Sequence, residues 1–214
     1  MFKVKLIALV VVTLLTASPV NAKHLLVFGD SLSAAYNLPV EQGWVNLLAE
    51  YWHDAGGSEG QKKAKVQHII TNASISGETT VGGLLRLPIT LEQIRPDIVL
   101  LALGANDALR GLPVKQIQAN LAQMIEQINA AGAQVILGAI SLPISYGPRY
   151  IDQFREMYAN AAEQHDIPLV DLYLEEVAYN PDLLMQDGLH PNLAAQTIIF
   201  NNLLEQLQRT ALFD

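Results

Sequence analysis

The chain has 214 residues, enough for one α/β domain with a sizeable core and short for two. It contains no cysteine, which excludes disulfides, thiolate catalysis, cysteine metal sites and a lipid-bearing cysteine. A formal net charge of −8 without basic clusters argues against a nucleic-acid partner and against electrostatic docking on anionic lipid.

The first segment, MFKVKLIALVVVTLLTASPVNA, places Lys3 and Lys5 before an apolar run from Leu6 to Leu15 and ends in Val20-Asn21-Ala22, the small-residue spacing of a signal-peptidase site. It reads as a signal peptide over 1–22 cleaved near Ala22, leaving one domain over 23–214. The run is shorter than the roughly 20 apolar residues of a membrane span, a retained anchor being the alternative. Losing both lysines takes the charge from −8 to −10.

Five further apolar runs occupy 24–29, 66–73, 97–104, 134–141 and 168–172. They are rich in Val, Ile and Leu without alternation, as strands of a parallel sheet covered on both faces must be. Amphipathic stretches at 42–54, 80–94, 113–131, 148–165 and 191–209 read as helices, with Ile117, Leu121, Met124, Ile125 and Ile128 at helical spacing, Pro113 in the first turn and Gly132 at the end. The Gly-rich, charged stretch from His53 to Lys65 reads as a surface loop. Strands alternating with helices predict a three-layer α/β/α domain built on a flavodoxin-like five-stranded parallel sheet. With strand order 2-1-3-4-5, ligands bind beyond the strand ends where the order reverses.

The first three strands each give way to small and polar residues: Gly29-Asp30-Ser31, Ser74-Ile75-Ser76-Gly77 and Gly104-Ala105-Asn106-Asp107. Gly-Asp-Ser on its own is also ordinary turn and helix-cap chemistry. A serine hydroxyl is a poor nucleophile until a base removes its proton and a third group orients that base. His24 and His68 fall at strands and His53 and His165 at helix ends, where packing or solvation explains them. His190 closes Gln186-Asp187-Gly188-Leu189-His190, and a glycine turn can fold the Asp187 carboxylate back onto its Nδ1. Acyl transfer also needs donors for the developing oxyanion, and the N–H of Ser31 at a helix start, the N–H of Gly77 and the amide of Asn106 are candidates. Asp30 is expected to serve the turn and Asp107 to cap the helix after the third strand. Asp171 is a rival to Asp187 that lacks a neighbouring histidine.

The blocks Gly29-Asp30-Ser31-Leu32-Ser33, Gly77, Gly104-x-Asn106-Asp107 and Asp187-x-x-His190 resemble, in order, those of the SGNH (GDSL-type) hydrolases. The resemblance spans nearly all of 25–214. It implies a serine esterase with Ser31 as nucleophile, Asp187 and His190 completing the triad, and Ser31, Gly77 and Asn106 as oxyanion donors. It further implies medium or long acyl esters, lysophospholipids and acyl thioesters as substrates, no metal or cofactor, and a periplasmic enzyme without an obligate protein partner that works as a monomer. Ala108, Leu109, Leu112, Pro113, Leu142, Pro143, Ile144 and Tyr146, in the loops after the third and fourth strands, are apolar enough to line an acyl groove, Leu109, Leu112, Pro143, Ile144 and Tyr146 foremost, although such residues also simply cover sheets. A carbohydrate O-acetylesterase and a noncatalytic ligand-binding α/β domain are the competing readings. The stretch 55–65 is longer than the family pattern suggests.

Overall fold

The computed structural model describes residues 22–54, 67–173 and 175–213. The signal segment, apart from Ala22, and the 55–65 stretch therefore lie outside the described residues.

The five strands are β1 His24–Gly29, β2 Ile69–Asn72, β3 Ile98–Ala102, β4 Gln134–Ile140 and β5 Leu169–Tyr173. They form one parallel sheet in the order β2-β1-β3-β4-β5. Unbroken apolar strands divide their side chains between two faces, because successive residues point to opposite sides. Leu26, Phe28, Val99, Leu101, Val135 and Leu137 enter one core layer; Leu25, Val27, Ile98, Leu100, Ile136 and Val170 enter the other. The first layer is closed by α2 (Thr80–Ile94), α4 (Val114–Ala130) and α5 (Pro148–His165), the second by α1 (Trp44–Asp54) and α7 (Leu193–Arg209). Two short helices, α3 (Ala105–Leu109) and α6 (Glu175–Ala178), lie in connections that the apolar pattern does not mark.

The three-layer architecture and strand order agree with the sequence reading. The two edge strands depart from the buried character expected of all five, β2 most of all, where Ile69 is 58% exposed; in β5 Leu169 is exposed too. β2 has a hydrogen-bonding neighbour only in β1, so its apolar residues are covered incompletely. In α4 the spacing does what it predicts, and all five of Ile117, Leu121, Met124, Ile125 and Ile128 are buried. Because β1 and β3 are neighbours, the loops that leave them open side by side at the carboxyl edge.

Candidate active site

The loop after β1 is a run of turns rather than the helix start expected for Ser31. The Asp30 carbonyl accepts from the N–H groups of Ser33 and Ala34, and the Asp30 carboxylate accepts from Leu32 N–H at 3.0 Å. Behind it, the Trp44 indole N–H donates to the Leu32 carbonyl at 2.9 Å. Trp44 N–H in turn donates to the Gln196 side chain, whose amide nitrogen donates to the Pro191 carbonyl. Gln196, 2% exposed, thus joins the Ser31 loop to the segment after His190. Sequence reasoning missed Trp44 and Gln196; a buried glutamine in an otherwise apolar helix face is the signal that points to such a brace.

His190 sits on a loop clipped shut by an antiparallel bridge between Leu184 and Pro191 and by Met185 N–H donating to the His190 carbonyl at 2.7 Å. Asp187 Oδ1 accepts from the N–H groups of Leu189 and His190, while Oδ2 lies 2.7 Å from His190 Nδ1. The opposite ring nitrogen, Nε2, lies 2.9 Å from Ser31 Oγ. Partial burial pushes the Asp187 carboxyl up, but the hydrogen bonds from His190 and Leu189 together outweigh it and hold its pKa below the ordinary 3.8. Asp171 is placed elsewhere, on the edge strand β5, where Asn202 and Gln206 hold its backbone. Of the other histidines, His24 bonds Thr71 and His68 packs against Trp52 and Phe213.

The loops after β2 and β3 are tied together where they meet Ser31. Asp107, fully buried, accepts from both the N–H and the hydroxyl of Thr80, at 2.8 and 2.7 Å. It therefore serves the start of α2, not the helix it was expected to cap, because Asp107 lies inside α3 with its side chain turned towards that neighbouring loop. Gly104, which starts the β3 loop, has a φ of +124°, and it lets α5 pack close behind that loop: a Cβ there would stand 2.8 Å from the Tyr158 hydroxyl. The Asn106 amide nitrogen donates to the Glu78 carbonyl at 3.0 Å and to Asp30 Oδ2 at 3.2 Å, so both its hydrogens already have partners. By contrast, the N–H groups of Ser31 and Gly77 have no protein acceptor among the described residues. Asp30 serves the turn as expected and also reaches Asn106. Burial dominates its titration and pushes its pKa to about 7, against the hydrogen bonds from Leu32 and Asn106 and with the help of nearby Asp107.

These groups open on a cavity of about 320 Å³ that holds Ser31, Gly77, Asn106 and His190 in its wall. Its apolar lining comes from Leu32, Leu109, Ile140, Leu142, Pro143 and Leu189. Of the five residues put foremost for an acyl groove, Leu109 and Pro143 line this cavity, whereas Leu112, Ile144 and Tyr146 are off its wall. Leu112 packs on the α4–α5 core and its carbonyl accepts from Tyr150, Ile144 is 72% exposed, and the Tyr146 hydroxyl donates to the Leu109 carbonyl. Among the described residues no three His, Asp or Glu side chains converge as metal ligands.

A carboxylate, an imidazole and a hydroxyl thus stand joined in line at the carboxyl edge of a doubly wound sheet. The chain belongs to the GDSL-like lipase/acylhydrolase family, whose sequence profile matches residues 27–198, and is on that ground a serine ester hydrolase. It is 43% identical to an arylesterase of Vibrio mimicus over 95% of this chain and 98% of that protein. It is 40% identical to thioesterase 1/protease 1/lysophospholipase L1 of Escherichia coli K12, over 91% and 88% of the two chains. The crystal structure of the psychrotrophic esterase EstA from Pseudoalteromonas sp., inhibited by monoethylphosphonate, superposes with a TM-score of 0.78 at 40% identity, over 87% of this chain and 97% of that one.

Proposed function

We propose that Ser31 is the nucleophile, His190 the general base and Asp187 its orienting acid in the hydrolysis of acyl esters and thioesters. The observation that carries this is the unbroken line from Asp187 through His190 to Ser31, with contacts of 2.7 and 2.9 Å, at the wall of an apolar cavity. Ser31 Oγ bonds to the acyl carbon as its proton passes to His190 Nε2, and the carbonyl π electrons move to oxygen. The tetrahedral species then expels the alkoxide or thiolate, which takes that proton. Water repeats the sequence on the acyl-enzyme and releases the acid. The N–H groups of Ser31 and Gly77, lacking protein acceptors, hold the oxyanion. Asn106 joins them by sharing the hydrogen it gives to Asp30, the longer of its two bonds.

The names of the relatives support aryl esters, acyl thioesters and lysophospholipids as substrates, and the Leu109, Leu142 and Pro143 wall suits the acyl chain. The leader supports export after cleavage near Ala22; the periplasm and a monomeric state are the further parts of this reading, and they rest on the family resemblance. The test is stoichiometric labelling with a fluorophosphonate, the adduct mapped by mass spectrometry beside Ser31→Ala. A single adduct on Ser31 that vanishes in the variant is expected; an unlabelled protein that also leaves p-nitrophenyl butyrate intact refutes the assignment. Within a p-nitrophenyl ester series, activity should persist beyond acetyl, and strict acetyl preference would remove the acyl-chain role of that wall.

A further inference from the structure

The His190 ring is fixed in its own plane by Asp187 at one nitrogen and Ser31 at the other. Two hydrogen bonds at opposite nitrogens leave the ring free to rock about the line joining them. Something must hold its face. Tyr36, five residues after Ser31 on the same loop, stacks on that face with ring centroids 4.1 Å apart and planes inclined by 28°. The His190 side chain is consequently only 14% exposed, against 41% for its partner Asp187.

The backbone that delivers Tyr36 is unusual. The residues on both sides of it, Ala35 and Asn37, are in the left-handed region, each with φ of +54°. Asparagine tolerates that conformation; alanine does so at a cost, and such residues persist only when their surroundings impose them. Ala35 is buried against Gly43, where a Cβ would come within 2.7 Å of the Ala35 Cβ. The loop is therefore clamped in the shape that sends the phenol ring over the imidazole.

We infer that Tyr36 is a positioning residue for the reaction, holding the face of His190 and stabilising the imidazolium that forms when Ser31 gives up its proton. This rests on His190 being the base. A tilted ring would misalign Nε2 with Ser31 Oγ, and the aromatic face offers its negative quadrupole to the transient cation. Both effects belong to the ring and neither needs the hydroxyl. Tyr36 also lines the cavity, so the alternative is a wall that touches substrate and nothing more.

The experiment compares the purified wild-type enzyme with Tyr36→Leu, Tyr36→Phe and His190→Ala on p-nitrophenyl acetate and p-nitrophenyl octanoate. Tyr36→Leu is expected to lower kcat by roughly 3- to 30-fold, the range of a partly desolvated cation–π contact, by the same factor on both esters and with little change in KM. Tyr36→Phe should keep near wild-type kcat. The proposal is overturned if Tyr36→Leu leaves kcat on acetate intact while KM on octanoate rises, since that describes a wall. It is overturned equally if Tyr36→Phe loses as much as Tyr36→Leu, since the ring alone would then not suffice. Retained activity in His190→Ala would instead remove the base assignment beneath it, a separate and recognisable failure.

Discussion

Asp30 gives the protein a pH dependence whose sign is opposite to that of a salt-bridged carboxylate. The side chain is 1% exposed, and burial raises its pKa from the ordinary 3.8 to about 7. Below 3.8 both folded and unfolded chains hold the proton. Between 3.8 and about 7 only the folded chain holds it, so folding takes up a proton and stability falls as pH rises. Above about 7 both are ionised and this contribution is constant. At about 1.4 kcal/mol per pH unit over the roughly three units separating those values, ionised Asp30 costs about 4 kcal/mol. Urea unfolding of wild type and Asp30→Asn, in steps from about pH 4.5 to about pH 8, reads the effect directly as the difference between two curves. Other titrating groups cancel in that difference. Asparagine supplies one acceptor where aspartate supplies two, for Leu32 and Asn106, so the variant carries a pH-independent offset as well. The slope is the test: the variant should gain on wild type as pH climbs and stop gaining near neutrality. Parallel curves throughout would refute a buried carboxyl that resists ionisation.

Two further substitutions probe the rim. Asn106→Ala should lower kcat by roughly 10²–10³ at little cost in KM, as loss of a true oxyanion donor does, and a change near twofold in steady-state kinetics would leave only the Ser31 and Gly77 N–H groups in that role. Gly104→Ala combines a φ of +124° with a Cβ placed 2.8 Å from the Tyr158 hydroxyl, whose own bond to the Leu103 carbonyl would be disturbed. Thermal unfolding should record a loss of about 2–4 kcal/mol, and an unchanged midpoint would mean that the β3 loop can relax where the structure says it cannot.

The sheet was legible in the sequence because its determinants are local: unbroken apolar runs set between stretches of helical periodicity. Runs such as Ile98–Ala102 are too short for a helix and apolar throughout, as a strand covered on both faces must be, and α2 and α5 span the 80–94 and 148–165 stretches that their patterns imply. The chemical residues were legible for a different reason: small polar groups after successive strands of a doubly wound sheet must share one rim. What was not legible lies in loops, where no period fixes where a side chain points. Leu109 and Ile144 look equivalent as sequence, yet one lines the cavity and the other stands in solvent. Asp107 resembled a cap for its own helix, and only three-dimensional proximity makes Thr80 its partner. The stacking of Tyr36 on His190 depends on two left-handed residues that no propensity scale marks.

The brace from Trp44 through Gln196 to Pro191 has a consequence for how the protein is made. Ser31 and His190 are separated by 159 positions, and the glutamine that joins their loops comes later still, in the last helix. At a synthesis rate of about 5–20 residues per second, some 8–30 s pass between the appearance of the hydroxyl and of the group that would activate it. On the catalytic assignment proposed above, the emerging chain carries an inert serine during that interval, however well its first strands have paired. On the same assignment hydrolysis starts only when the segment that carries His190 has docked, so the nascent polypeptide does not attack the esters around it.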